Sequence, residues 1–266
     1  MVNVPERFRP HINTCYPPNN CLIFEEWFAE NYDGAGDREY LPVFWTSFYV
    51  NHKYGKDQRA MKDLQRFINS LDRSKKYFTV LQYDDGILND VSRLDLKVFG
   101  SGNMKTDFPI PLLTARHPYE FDVQRDIFAN FVGSITHPIR SQLLYEVKRH
   151  GYFTGGNMDI EQYCRILARS VFTLAPRGYG VTSFRICEAL QFGSIPVYIS
   201  DQFLIPYNDN FEEYGVLIHA SEVSRLHEIL SQITESEIRQ KQEAGRRMYN
   251  EKFSFQGCKR LILENI

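Results

Sequence analysis

The stretch VFTLAPRGYGVTSFRICEALQFGSIPVYISD, residues 171–201, decides the fold. It opens on an apolar run, Val171–Ala175, of a length and composition that suit a strand buried on both faces. A loop with two glycines, PRGYGV, leads into a helical stretch, Thr182–Phe192, whose first turn holds Thr182 and Ser183, residue types that cap helix starts. A second apolar run, Ile195–Ile199, follows. Strand, helix, strand is the unit of a parallel sheet.

The same alternation extends in both directions. Downstream come a loop with LIPY, a strand at Val216–Ile218, helices from Ser221, and a charged helical stretch from Glu235 that packs outside the sheet. Upstream, RDIFANFVGSITHPIRSQLLYEVKRH gives a strand Ile127–Val132, a loop from Gly133 and a helix from Pro138 to His150; a helix Ile160–Arg169 then leads into Val171. An earlier alternation precedes these elements. CLIFEEWFAENY (21–32) reads as a short amphipathic helix, and LPVFWTSFYVNH (41–52) as a buried strand. DQRAMKDLQRFINSLDR (57–73) reads as a helix with Met61, Leu64, Phe67, Ile68 and Leu71 on one face, and KYFTVLQYDDG (76–86) as a strand closed by acid and glycine. LKVFGSG adds a strand, and the prolines of FPIPLL mark an edge segment. The pattern restarts near residue 122, which predicts an α/β chain of two units, 1–122 and 123–266, with the last helix placed back on the first unit.

Composition narrows the function. With 266 residues, 43% hydrophobic, 24% charged and 14% aromatic, the chain is globular rather than disordered or low-complexity. Its 31 basic and 33 acidic side chains give a net charge of −2, so no overall field draws it to nucleic acid. No run approaches the roughly 18–20 apolar residues of a membrane span, and MVNVPERFRPHINTCYPPNN lacks an apolar signal core. A soluble, cytoplasmic chain without a transmembrane segment is expected. Five dispersed cysteines argue against a disulfide framework or a zinc cluster, and Cys164 and Cys187, inside helices, read as small buried hydrophobes.

A helix start behind a glycine loop offers unpaired N–H groups and the positive end of a dipole, a setting for a phosphate, to which Arg177 and Arg185 add charge. Glu188, three residues beyond Arg185, looks the same way, toward the carboxyl ends of the strands where ligands of open α/β sheets bind. The picture is a nucleotide with its diphosphate at the loop and its ribose hydroxyls on Glu188. The same spacing also makes an i,i+3 ion pair on an exposed face, with Gly178 and Gly180 merely turning the chain.

PRGYGVTSFRICEALQFGSIPVYISD, continued by LIPYNDNFEEYGVLI, resembles the exostosin-type glycosyltransferases, whose Pro-Arg/Ser-Gly, Ser-x-Arg, Glu-Ala, Gly/Ala-x-x-Pro-Val, Ser-Asp and Leu-Pro-Phe elements run in this order. The likeness reaches more faintly to Tyr163–Ser170, to FANFVGSITHPIRSQLL and to YFTVLQYDDG, where Tyr83 replaces the family's His. The resemblance implies a GT-B type fold, two Rossmann-like α/β domains facing a cleft, the N-terminal one for the acceptor and the C-terminal one for the donor. It implies an inverting transfer from a nucleotide sugar to a glycan hydroxyl. The loop's form is closer to plant members, pointing to UDP-xylose or UDP-galactose. A catalytically inactive nucleotide- or sugar-binding module of the same fold is the alternative.

The resemblance and the local physics together place Arg140, Arg177, Gly178, Gly180, Thr182, Ser183 and Arg185 around the diphosphate, and Glu188 on the ribose, with Tyr152 stacking the uracil. Arginine suits the task because its planar fork binds phosphate oxygens in pairs. The proton acceptor is sought in the facing unit: Asp84 or Asp85, adjacent carboxylates at a strand end, with His117 and His137 as lesser candidates. The same Asp-Asp-Gly also reads as a simple turn. No metal and no other cofactor is expected, because the acidic pair is not an Asp-x-Asp element and lies in the half opposite the donor.

Overall fold

A computed structural model describes residues 1–12, 23–34, 36–156 and 158–266; Cys15 and Cys21 lie outside the described residues. The first unit contains α1 (Phe24–Asn31), β1 (Glu39–Tyr40), α2 (Trp45–Asn51), α3 (Gln58–Asn69), β2 (Lys76–Leu81), β3 (Asp95–Gly100) and β4 (Phe108–Pro109). Its strands pair in parallel in the order β1-β2-β3-β4, with Tyr40 opposite Phe78 and Leu81 opposite Gly100.

The second unit contains β5 (Ile127–Val132), α4 (Pro138–Arg149), β6 (Phe153–Gly155), α5 (Ile160–Arg169), β7 (Ser170–Pro176), α6 (Phe184–Gln191), β8 (Ile195–Ser200), β9 (Val216–His219) and α7 (Leu226–Ser231). All five strands are parallel, in the order β6-β5-β7-β8-β9. Two further helices, α8 (Glu235–Met248) and α9 (Phe255–Glu264), close the chain.

Local chemistry explains most element starts. The Asp57 carboxylate accepts the N–H groups of Arg59 and Ala60 to open α3, Asp159 accepts from Gln162 to open α5, and Thr234 and Glu237 form a reciprocal capping box on α8. At α4, His137 caps and Pro138 supplies a first residue that has no N–H to leave unpaired.

One expectation fails. LPVFWTSFYVNH is not a strand: Glu39–Tyr40 just before it pairs with β2, and Trp45–Asn51 is a helix. Residues Trp45 to Tyr49 are all buried, so packing on every side erases the periodicity that would have marked a helix. Its start is fixed from outside the segment, by the buried Glu25 carboxylate of α1, which accepts the N–H of Thr46 at 3.0 Å. The Trp45 indole N–H donates to Thr79 Oγ1 on β2 at 2.8 Å. The short strand β6, only Phe153–Gly155, is likewise not announced by any apolar run.

The units share a core. Phe24, Phe28, Phe78 and Phe99 of the first unit belong to one buried cluster with Ile186, Leu190, Tyr198 and Phe211 of the second and Phe253 from the chain's end. Helix α9 packs on α1, with the Phe255 ring 5.2 Å from those of both Phe24 and Trp27. Cys164 and Cys187 are free and buried, and burial pushes both thiols up to about 12, so they pack as apolar groups. No helix among the described residues is long and apolar enough to cross a membrane.

Candidate active site

The carboxyl edges of the two sheets meet, and the loop between β7 and α6 is the point of contact. Its Val181 N–H donates to the Gly102 carbonyl beyond β3 at 2.9 Å. The Val181 carbonyl in turn accepts the hydroxyls of Tyr198 and Ser200 on β8, at 2.8 and 3.1 Å. Thr182, also buried, hydrogen-bonds the Tyr198 hydroxyl. The loop is therefore stitched to both units and presents one fixed backbone.

Glycine is a requirement at its centre. A β-carbon on Gly180 would lie 2.3 Å from Asp84 Oδ1 and 2.6 Å from the Gly102 carbonyl, closer than atoms approach. One on Gly178 would lie 3.0 Å from an Arg140 nitrogen. Ser183 caps α6 by accepting the Arg185 N–H, at 3.4 Å. The helix start thus has the backbone polarity of an anion site.

The arginines divide their work. Arg177 pairs with Asp201 and donates to the Tyr179 carbonyl, and the guanidinium holds the Asp201 carboxyl below its usual range. Arg185 Nε donates to the Val132 carbonyl at the end of β5 at 2.7 Å, and its guanidinium lies where a β-carbon on Gly133 would stand, 1.8 Å away. This close approach accounts for the glycine at residue 133. Arg140, almost fully buried, donates to the carbonyls of Arg177, Ser134 and Pro176 at 2.9, 2.9 and 3.2 Å. Expected at the diphosphate, it acts in this structure as the clamp between the loops after β5 and β7.

Glu188 is buried and does not form the exposed i,i+3 ion pair that its spacing from Arg185 allowed. Its Oε2 accepts the Tyr163 hydroxyl of α5 at 2.6 Å, and its Oε1 lies 3.3 Å from His117 Nε2. Tyr163 is not among the residues the sequence singles out, and His117 stands out there only as a candidate base. No local motif announces either, because the partners sit 25 and 71 positions away in the chain.

Facing this loop, the acidic pair separates into two environments. Asp84 accepts the Gly180 N–H and stands between Gly102 and Gly180. Burial, reinforced by the neighbouring Asp85, pushes its carboxyl up to about 6 against the opposing pull of the Gly180 N–H and Arg177. Asp85 is exposed. Beside them, burial and then the two aspartates push the Tyr83 hydroxyl up to about 12.

Tyr152 falls elsewhere, and His137 stays beside the site in another role. Tyr152 does not face the cleft: it precedes β6, away from the carboxyl ends of the strands, buried in the second unit's core. Its ring lies 5.5 Å from that of Phe128 and 5.9 Å from that of His150, and its hydroxyl is 2.7 Å from His227 Nδ1, so no face is left for a base. His137 is the cap of α4, its ring nitrogen accepting the Ile139 N–H, and burial followed by the nearby Arg177 lowers its pKa.

Comparison with known proteins identifies the family. Residues 67–233 match the Exostosin GT47 domain family. A probable glycosyltransferase of Arabidopsis thaliana is 31% identical over 119 residues, 41% of this chain and 22% of that one. A probable glucuronosyltransferase of Oryza sativa subsp. japonica is 35% identical over 105 residues, 39% of this chain and 24% of that one. A probable β-1,4-xylosyltransferase of Arabidopsis thaliana is 38% identical over 144 residues, 46% of this chain and 33% of that one. The chain thus spans a third or less of the length of these curated relatives.

Proposed function

The chain belongs to the Exostosin GT47 family, and from that premise we propose that it is an inverting glycosyltransferase that moves a sugar from a UDP-sugar to a hydroxyl of a glycan acceptor. Residues 1–122 take the acceptor and residues 123–266 the donor. The observation that carries this reading is the meeting of Asp84, from the end of β2, with the Gly180 N–H in the loop that opens α6. An acid of one unit and an anion-binding helix start of the other converge on one point.

The chemistry follows from that juxtaposition. Glu188 accepts the ribose hydroxyls, and the start of α6 at Thr182–Ser183, with Arg185, takes the diphosphate. Asp84, with its carboxyl near 6, is ionised at neutral pH yet basic enough to accept a proton. As the acceptor oxygen bonds to C1 of the donor sugar, its proton passes to Asp84; the bond from C1 to the β-phosphate oxygen breaks and its electron pair leaves on UDP. Attack from the face opposite the leaving group inverts C1. The charge that develops on the diphosphate is met by Arg185 and the α6 dipole, so no metal ion is required.

UDP-xylose or UDP-galactose is the leading donor. The relative named a β-1,4-xylosyltransferase supports the first, and the relative named a glucuronosyltransferase makes UDP-glucuronic acid the donor to compare against. The deciding experiment is thermal shift against UDP, GDP, CMP and UDP-sugars, since a ligand that binds only the native state raises Tm. A UDP-specific rise that Glu188→Ala removes is expected, followed by UDP release with acceptor that survives EDTA. No response to any nucleotide would overturn the reading. Binding without turnover on any acceptor would leave a nucleotide-binding module.

A further inference from the structure

The carboxylate assigned to the ribose is held from two sides before any ligand arrives. Tyr163, on α5, donates its hydroxyl to Glu188 Oε2 at 2.6 Å. His117, in the segment connecting β4 to β5, brings Nε2 to 3.3 Å from Oε1. The His117 and Glu188 side chains are only 4% and 8% exposed. Facing an acceptor, Nε2 carries the ring proton and donates it, which leaves His117 no basic nitrogen for an acceptor hydroxyl on that side.

His117 is itself fixed by α6, the helix that carries Glu188. Its N–H donates to Gln191 Oε1 at 3.1 Å and its carbonyl accepts from Gln191 Nε2 at 2.8 Å. The imidazole stacks on Phe192, 6.0 Å between centroids at 27°. The connecting segment is thereby locked to α6 by its backbone, and its one imidazole is aimed at one carboxylate oxygen.

We propose that His117 and Tyr163 are positioning residues that preset Glu188 for the ribose hydroxyls, so that the protein distinguishes a ribonucleotide from a deoxyribonucleotide without first ordering a flexible glutamate. Each carboxylate oxygen retains a second lone-pair direction, and the two neighbours determine where those directions point. A glutamate left to rotate would have to give up that freedom on binding, and affinity would fall accordingly. The inference rests on the ribose assignment of Glu188.

The test is calorimetric titration of the wild-type chain and variants with UDP, 2′-deoxy-UDP and inorganic pyrophosphate. Wild type should prefer UDP over 2′-deoxy-UDP by about tenfold, the equivalent of about 1.4 kcal/mol. His117→Leu and Tyr163→Phe should each bring that ratio most of the way toward one while leaving pyrophosphate affinity nearly unchanged, even though losing a partner of the buried Glu188 carboxylate lowers apo Tm. His117→Gln, whose amide can still donate, should restore most of the preference. A purely structural role would instead lower affinity for all three probes together, and that result would overturn the proposal. So would a full preference for UDP in both His117→Leu and Tyr163→Phe when Glu188→Gln has lost it. If Glu188→Gln itself keeps the preference, the ribose assignment falls and takes the proposal with it. Tyr163→Phe removes one oxygen and carries the test should His117→Leu fail to fold.

Discussion

At Gly180 hydrogen is the only side chain that fits, because the Asp84 carboxylate and the Gly102 carbonyl already occupy the space a methyl would need. Gly180→Ala should therefore push the two loops apart and cost about 1–3 kcal/mol, the range for forced overpacking. Chemical denaturation measures that loss, and an unchanged midpoint would mean that the loops yield freely. Asp84 makes a second prediction. Its carboxyl sits near 6 in the folded chain against an ordinary value of 3.8, so the folded state holds the proton more tightly than the unfolded one. This contribution to stability is complete below about 4 and is lost as pH rises through about 6. A base must be ionised, so turnover should rise over the same window in which that stability is lost. Asp84→Asn should flatten the stability change and abolish turnover; if both pH profiles survive the substitution, Asp84 is neither the titrating group nor the base. The sequence allowed most of these residues to be picked out, since Ser183, Arg185 and Glu188 belong to one short motif. It could not reveal that Asp84 touches Gly180, because that contact joins residues nearly a hundred positions apart.

Among the elements, those with a cap and one apolar face were legible, α3 and α5 most plainly, since Asp57 and Asp159 announce their starts. Helix α2 was not, because it is buried all round and the Thr46 N–H in its first turn is satisfied by a glutamate from α1. The long charged stretch after Glu235 read as helical, but its division did not show. A wide turn at Tyr249–Phe253 ends α8, and Ser254 caps α9 afresh. That break re-aims the chain so that α9 reaches α1. Phe255 is the principal ring in that contact and is 8% exposed, so Phe255→Ala should cost about 3–5 kcal/mol. Denaturant titration would show a much smaller loss if α9 were only loosely seated.

For the whole molecule, alternation of strand and helix gave two α/β units without difficulty, since each half restarts the same pattern. That the halves share one buried cluster was not readable, because an apolar position in a helix does not say which sheet covers it. The cluster joins Phe78 and Phe99 to Ile186, Tyr198 and Phe253. Units linked in this way should unfold together. Scanning calorimetry should give one transition with agreeing calorimetric and van't Hoff enthalpies, whereas two separated peaks would mean that each half stands alone. The docking of α9 on α1 also has a consequence in time. Lys259 of α9 holds the Asn31 carbonyl at the end of α1, a partner made 228 residues earlier. At ~5–20 residues per second, a ribosome leaves the aromatic face of α1 without its cover for roughly ten to fifty seconds. For that interval the nascent chain carries exposed rings that a chaperone would have to shield, and a ribosome stalled before α9 would release a product prone to aggregate.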